Sequence, residues 1–138
     1  MKGVKEVKRG LETDATAPPS LTFTGRLRSI AHAVRGIRVM IASQHNAWIH
    51  AAATLAVAAA GLWFRLSLAE WCWIVLAVMS VWTAEALNTA FEFLTDVASP
   101  TFHPIAGQAK DVAAGAVLLT AIGAVIIGAL VFGPHVVP

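Results

Sequence analysis

Glu85, Asn88, Glu92 and Asp96 recur at helical spacing in the stretch TAEALNTAFEFLTD. At ~100° per residue of an α-helix they fall within an arc of roughly 80° on one face. The opposite face reads Ala84, Leu87, Ala90, Phe91 and Leu94, all apolar. Upstream, Trp71 to Trp82 carries no ionisable group except the thiol of Cys72. A helix of membrane-spanning character therefore runs into a stripe of carboxylates. Ionisable groups at that depth are costly, and they usually face a bundle interior or a polar cavity. Glu85 lies roughly 10 Å deeper along the helix than Glu92, so a purely structural carboxylate there would cost several kcal/mol without a task to offset it.

Further polar residues are expected at the same interface: Gln44, Asn46, His103, Lys110 and Asp111. Several carboxylates, an amide and one lysine suit a Mg²⁺-nucleotide site. Mg²⁺ is commonly held by one or two carboxylates together with substrate phosphates. A lysine acts as a point charge on those phosphates, and a further carboxylate can take a proton from an attacking hydroxyl. Neither GxxxxGK[ST] nor GxGxxG occurs, so nucleotide binding would use neither common glycine loop.

The elements that must position these groups follow from the patterning. The chain has 138 residues, room for one domain, and is 57% hydrophobic but only 13% charged, against about 25% charged in a soluble domain. The predicted class is all-α and membrane-integral, with an N-terminal amphipathic surface helix and three transmembrane helices. Eight of the ten Lys and Arg residues lie at or before Arg38, which places the N-terminus in the cytoplasm. The apolar bulk argues against a nucleic-acid-binding arm. Cys72 is the single cysteine, which rules out an intramolecular disulfide and a CxxC motif. No cleavable signal peptide is expected.

Residues 1–20 read as a disordered tail, and 21–138 as the membrane domain. From about 21 to 43, Leu27, Ile30, Val34, Ile37 and Ile41 form an apolar stripe opposite Arg28, His32 and Arg35. Such a basic amphipathic helix suits an anionic inner leaflet. Ser43 to Asn46 reads as a polar turn. Spans are expected at about 47–64, 70–96 and 106–132, joined by a tight turn at Arg65–Ser67 and a loop at Ser99–Pro104. Gly133-Pro134 should end the last one outside. Trp48 and Trp63 mark the ends of the first span, and His50, just inside it, reads as a satisfied or snorkelling residue rather than a ligand. Ala116, Thr120, Ala124 and Gly128 make a small-residue ridge that invites a close helical neighbour.

Two other classes fit parts of this pattern. A small proton-coupled carrier could be built on Glu85, but would not need Lys110-Asp111 or the basic helix. A membrane scaffold could rest on the small-residue ridge alone.

E85-A-L-N88-T-A-F-E92-F-L-T-D96, followed by F102-H103-P104 and A109-K110-D111-V-A-A-G115, resembles the prokaryotic diacylglycerol kinase family. Its undecaprenol kinase-like branch is the closer match, through H103-P104 and N46-A-W-I-H50; S29-I-A-H-A33-V-R-G36 matches the family's surface helix. The similarity covers about Arg26 to Phe132. The resemblance implies a homotrimeric enzyme of the bacterial inner membrane, with sites shared between subunits, that phosphorylates a lipid alcohol with MgATP. Carried over by position, Glu85 would be the general base on the lipid hydroxyl, with Asn88 ordering the site. Glu92 would hold Mg²⁺. Lys110, Asp111, Asp96, Phe102, His103 and His32 would meet ATP, while Arg26 and Ala114 would meet the lipid. Gln44 stands where many members carry a second metal-binding glutamate. Its carbonyl can ligate Mg²⁺ but supplies no charge, which implies a weaker hold on the metal.

Overall fold

A computed structural model describes residues 23–136. The expected tail at 1–20 and the first two positions of the surface helix lie outside the described residues. Four helices follow in order: α1 (Phe23–Ser43), α2 (His45–Trp63), α3 (Leu68–Ala98) and α4 (Pro104–Val136). The chain divides into two compact units, Met1–Gly36 and Ile37–Pro138. In the first, the described residues 23–36 are the N-terminal part of α1, with Leu27, Ile30 and Val34 exposed. The second holds the rest.

The breaks are shorter than the sequence suggests. The polar turn expected over Ser43–Asn46 is a one-residue interruption: Gln44 takes an extended conformation (φ −110°, ψ 120°) and α2 begins at once at His45. α2 ends where Arg65 adopts a left-handed φ of 53°, an uncommon conformation for a residue with a Cβ. The amide of Arg65 donates to the Leu62 carbonyl at 3.2 Å, and that of Leu66 donates to the Gly61 carbonyl at 3.0 Å. These bonds satisfy carbonyls that a helix end leaves open. The turn folds Leu66 into a cluster with Ile74 and Val131.

Gly61 is what allows this corner to close. A Cβ there would stand 2.7 Å from the Trp71 ring and 3.2 Å from the Leu66 side chain. Gly61→Ala should therefore lower the thermal midpoint in detergent: overpacking costs ~1–3 kcal/mol, against up to ~1 kcal/mol of helix propensity gained. A midpoint at or above that of the wild type would mean that the Trp71 ring moves aside freely.

α3 starts with a capping box. Ser67 Oγ accepts from the Glu70 amide at 3.4 Å, and Glu70 Oε2 accepts from the Ser67 amide at 2.7 Å. The other Glu70 oxygen lies 2.8 Å from His135 Nε2, tying the start of α3 to the end of α4. Thus Glu70 is a cap as well as the first residue of the expected span. At the other end the Ser99 amide donates to Thr95, and Pro104 opens α4 in the first turn, where its missing N–H costs nothing. α4 continues past Gly133-Pro134 to Val136. Pro134 lies in the last turn, where it removes only one bond of the ladder.

Among the described residues two helices, α3 with 31 residues and α4 with 33, are long and apolar enough to cross a membrane; α2 does not meet that measure. At 1.5 Å per residue α3 and α4 reach about 46–50 Å, beyond the ~30 Å hydrocarbon core of a bilayer. Helices of this length crossing a bilayer would extend at their ends into the headgroup zone. α3 packs along α4 and, less extensively, against α2. Its buried stripe is Ile74, Ala77, Val81, Ala84, Glu85, Asn88 and Thr89, apolar at first and then polar. Leu118, Leu119, Val125 and Leu130 of α4 face outward. A water-soluble bundle shows the reverse order. Along the small-residue ridge, Ala116 and Thr120 border a groove shared with α3, and Ala124 and Gly128 border a cavity shared with α2 and α3; a Cβ on Gly128 would touch nothing within 4 Å, and Thr120 Oγ1 donates to carbonyls of its own helix.

Candidate functional site

Along α3 the four polar positions form a gradient from dry to wet. Glu85 is 0% exposed, Asn88 is buried, Glu92 is half-buried, and Asp96 lies open at the helix end. The helical period that puts them on one face also sets their depth, at 1.5 Å per residue.

Glu92 is the hub of the middle layer. Its Oε2 accepts from Gln44 Nε2 at 2.6 Å and its Oε1 accepts from Asn88 Nδ2 at 3.0 Å. The one-residue break after α1 aims Gln44 across to α3, so a short interruption brings a residue of one helix junction onto a carboxylate of another. Gln44 presents its amide N–H₂, not its carbonyl, to Glu92. An amide can turn over to present its oxygen with little change in shape.

Glu85 has no such support. Among the described residues, both of its carboxylate oxygens are buried and without a hydrogen-bond partner, as is Asn88 Oδ1. A buried ionisable group left unpaired is expensive, and native structures keep such groups where a ligand or a reaction uses them. The nearest charged or chargeable partner is His50 Nε2, 3.8 Å from Glu85 Oε2.

These side chains share a cavity of about 320 Å³. Asn46, His50, Glu85, Asn88 and Glu92 make its polar end, and Ala114, Val117, Leu118 and Ala121 of α4 make an apolar wall. Asn88 and Ala84 also border a larger apolar groove of about 820 Å³ between α3 and α4, flanked by Leu87, Phe91, Val112 and Ala116. A polar end with hard oxygen donors opening onto an apolar wall can seat the hydroxyl end of a long apolar molecule.

The structure thus brings together Glu85, Asn88, Glu92, Gln44 and Ala114. Lys110 and Asp96, on α4 and α3, form an ion pair at the open end of the stripe, one turn beyond Glu92. The charge expected for phosphates is therefore spent on a carboxylate here. Phe102 and Asp111 are exposed, Phe102 at 91%. His103 caps α4, its Nδ1 accepting from the Ile105 amide at 3.2 Å. Arg26 and His32 are exposed residues of the first unit, on α1.

The sequence reading sets His50 aside as a satisfied or snorkelling residue, whereas the structure puts it on the cavity, 3.8 Å from Glu85. The signal was present: Asn46 and His50, four apart at the head of an Ala-rich helix, share one face. The rule applied to Glu85, that an ionisable residue in a span marks function, applies equally to this histidine.

Among the described residues no three His, Cys, Asp or Glu side chains converge as a metal cage. The unpartnered Asn88 oxygen beside the Glu92 carboxylate fits instead an open site for a hard cation, completed by ligands that a substrate brings.

Residues 31–132 match the family model described as prokaryotic diacylglycerol kinase. The chain is 42% identical over 107 residues to the undecaprenol kinase of Bacillus subtilis, covering 78% of this chain and 87% of the relative. It is 38% identical over 109 residues to a diacylglycerol kinase of Synechocystis, covering 78% of this chain and 62% of that protein. To the diacylglycerol kinase of Escherichia coli K12 it is 28% identical over 120 residues, covering 82% and 93%.

Proposed function

The chain belongs to the prokaryotic diacylglycerol kinase family, and from that premise we propose that it transfers the γ-phosphate of ATP to the hydroxyl of a membrane lipid alcohol, undecaprenol in preference to diacylglycerol. The observation that carries this reading is the Glu85 carboxylate, buried with both oxygens unpartnered at the polar end of an apolar-walled cavity. A lipid hydroxyl entering along the Ala114 wall would donate to that carboxylate. As the hydroxyl oxygen bonds to the γ-phosphorus and the bond to the ADP oxygen breaks, the hydroxyl proton passes to Glu85. General-base help of this kind contributes ~10²–10⁴-fold.

Mg²⁺ bound with the nucleotide supplies positive charge to the phosphate oxygens. Glu92 would hold it through its carboxylate, with Gln44 turning its carbonyl inward and Asn88 ordering both. Lys110 would exchange Asp96 for a phosphate oxygen when ATP arrives, with Asp111, Phe102 and His103 nearby. Arg26 and His32 are assigned to lipid and nucleotide by resemblance alone. Three spans, a cytoplasmic N-terminus in the bacterial inner membrane and a homotrimer complete the proposal. The open groove between α3 and α4 supports a neighbouring subunit.

The preference for undecaprenol rests on the likeness to the Bacillus subtilis undecaprenol kinase. A panel of lipid alcohols with purified protein tests it. Undecaprenol should give a higher kcat/KM than diacylglycerol; the reverse order would make the chain a glyceride kinase with the same site.

A further inference from the structure

Glu85 is left by its own helix without a hydrogen bond, so something else must hold its carboxylate where an incoming hydroxyl can meet it. The cavity supplies few candidates. From α4 the wall is Ala114, Val117, Leu118 and Ala121, with no polar atom in its side chains. On α3 the Asn88 amide nitrogen is spent on Glu92, and Glu92 itself is a carboxylate that repels. Asn46, one turn before His50 on α2, borders the same cavity. Of these two, His50 is the chargeable one, and its Nε2 is 3.8 Å from Glu85 Oε2. A closure of about 1 Å would bring the pair to the ~2.8 Å of a charge-assisted hydrogen bond.

The imidazole is also held in place. Its ring meets Trp82 edge to face, with centroids 6.4 Å apart and planes at 65°. Trp82 Nε1 donates to Thr54 Oγ1 at 3.1 Å, and Thr54 Oγ1 donates to the His50 carbonyl at 2.7 Å. Trp82 stands one turn before Glu85 on α3. The helix that carries the carboxylate thus also clamps the histidine beside it, and Thr54 closes the loop back to the backbone of α2. A packing residue would need only the Trp82 contact; this one also aims a nitrogen at an unpartnered carboxylate.

We propose that His50 is a positioning residue for Glu85, its Nε2 holding the buried carboxylate on the path of the substrate hydroxyl. This rests on the reading of Glu85 as the proton acceptor. Full-length wild type, His50→Phe and His50→Gln should be compared for lipid phosphorylation. Phe keeps an aromatic ring against Trp82 and loses the nitrogen, whereas Gln keeps an N–H donor. His50→Phe should lower kcat by ~10²-fold, the scale of a misplaced catalytic group, with KM for MgATP within about twofold of wild type. His50→Gln should recover most of that loss. Full activity in His50→Phe overturns the inference. So does an equal loss in both variants, or a rise in KM for MgATP in step with the fall in kcat, since either outcome makes the ring a packing element. Should His50→Phe fail to assemble, the smaller His50→Leu carries the same comparison. A wild type that phosphorylates no lipid alcohol would instead overturn the lipid kinase reading, a result separable from active wild type with an active His50→Phe.

Discussion

Glu85→Gln should lose ~10²–10⁴-fold of lipid phosphorylation while binding MgATP much as the wild type does. The change keeps shape and volume and removes the one charge at the dry end of the α3 stripe. It should not harm folding. Among the described residues neither Glu85 oxygen has a hydrogen-bond partner, so the exchange gives up only the 3.8 Å approach of His50, and a neutral amide is less costly to bury than a carboxylate. A variant at least as thermostable as the wild type yet nearly inactive is the expected pair of results, since strained or unpaired groups held for function commonly trade stability for activity. Near-wild-type turnover in Glu85→Gln would remove it from the role of base.

Glu92→Gln should act on a different quantity. Glu92 gathers the amides of Gln44 and Asn88 at 2.6 and 3.0 Å, and with Gln44 neutral it is the only charge of that trio. Its loss leaves the proposed Mg²⁺ position without a charged protein ligand. The Mg²⁺ concentration for half-maximal rate should rise at least ~10-fold, since even supporting residues around a metal are worth ~10–100-fold in affinity. KM for the lipid should stay close to wild type. Because the new amide keeps one oxygen acceptor and sets its N–H₂ against the amide of either Gln44 or Asn88, some loss of order in that trio is also expected. An unchanged Mg²⁺ titration would take Glu92 out of the metal shell.

Much of the site was legible because one helix carries it. The 3.6-residue period alone puts Glu85, Asn88, Glu92 and Asp96 on one face and grades their depth, and the described helix does both. The helix junctions were less legible. Ser43 to Asn46 look like a turn by composition, yet only Gln44 leaves the helix, because Ala-rich sequence on the far side resumes the ladder at once. Gly133-Pro134 reads as a stop, but a proline in the final turn has little helix left to break. Ser67-x-x-Glu70 is a capping-box signature visible in the sequence, masked by the expectation of a span starting at Glu70. The contacts of Lys110 with Asp96 and of Gln44 with Glu92 could not be read at all, since each joins separate helices and depends on how those helices are packed. His50 falls between these cases. Its face was readable, but its partner lies on a different helix.

Lipid-dependent transfer of the γ-phosphate tests the central claim most directly. Purified full-length protein in bilayer discs, given γ-labelled ATP, Mg²⁺ and undecaprenol, should move label into a chloroform-soluble lipid phosphate, one for each ADP formed, and should do so only when the lipid alcohol is present. ATP turnover indifferent to lipid, or no labelled lipid from either undecaprenol or diacylglycerol, would contradict it.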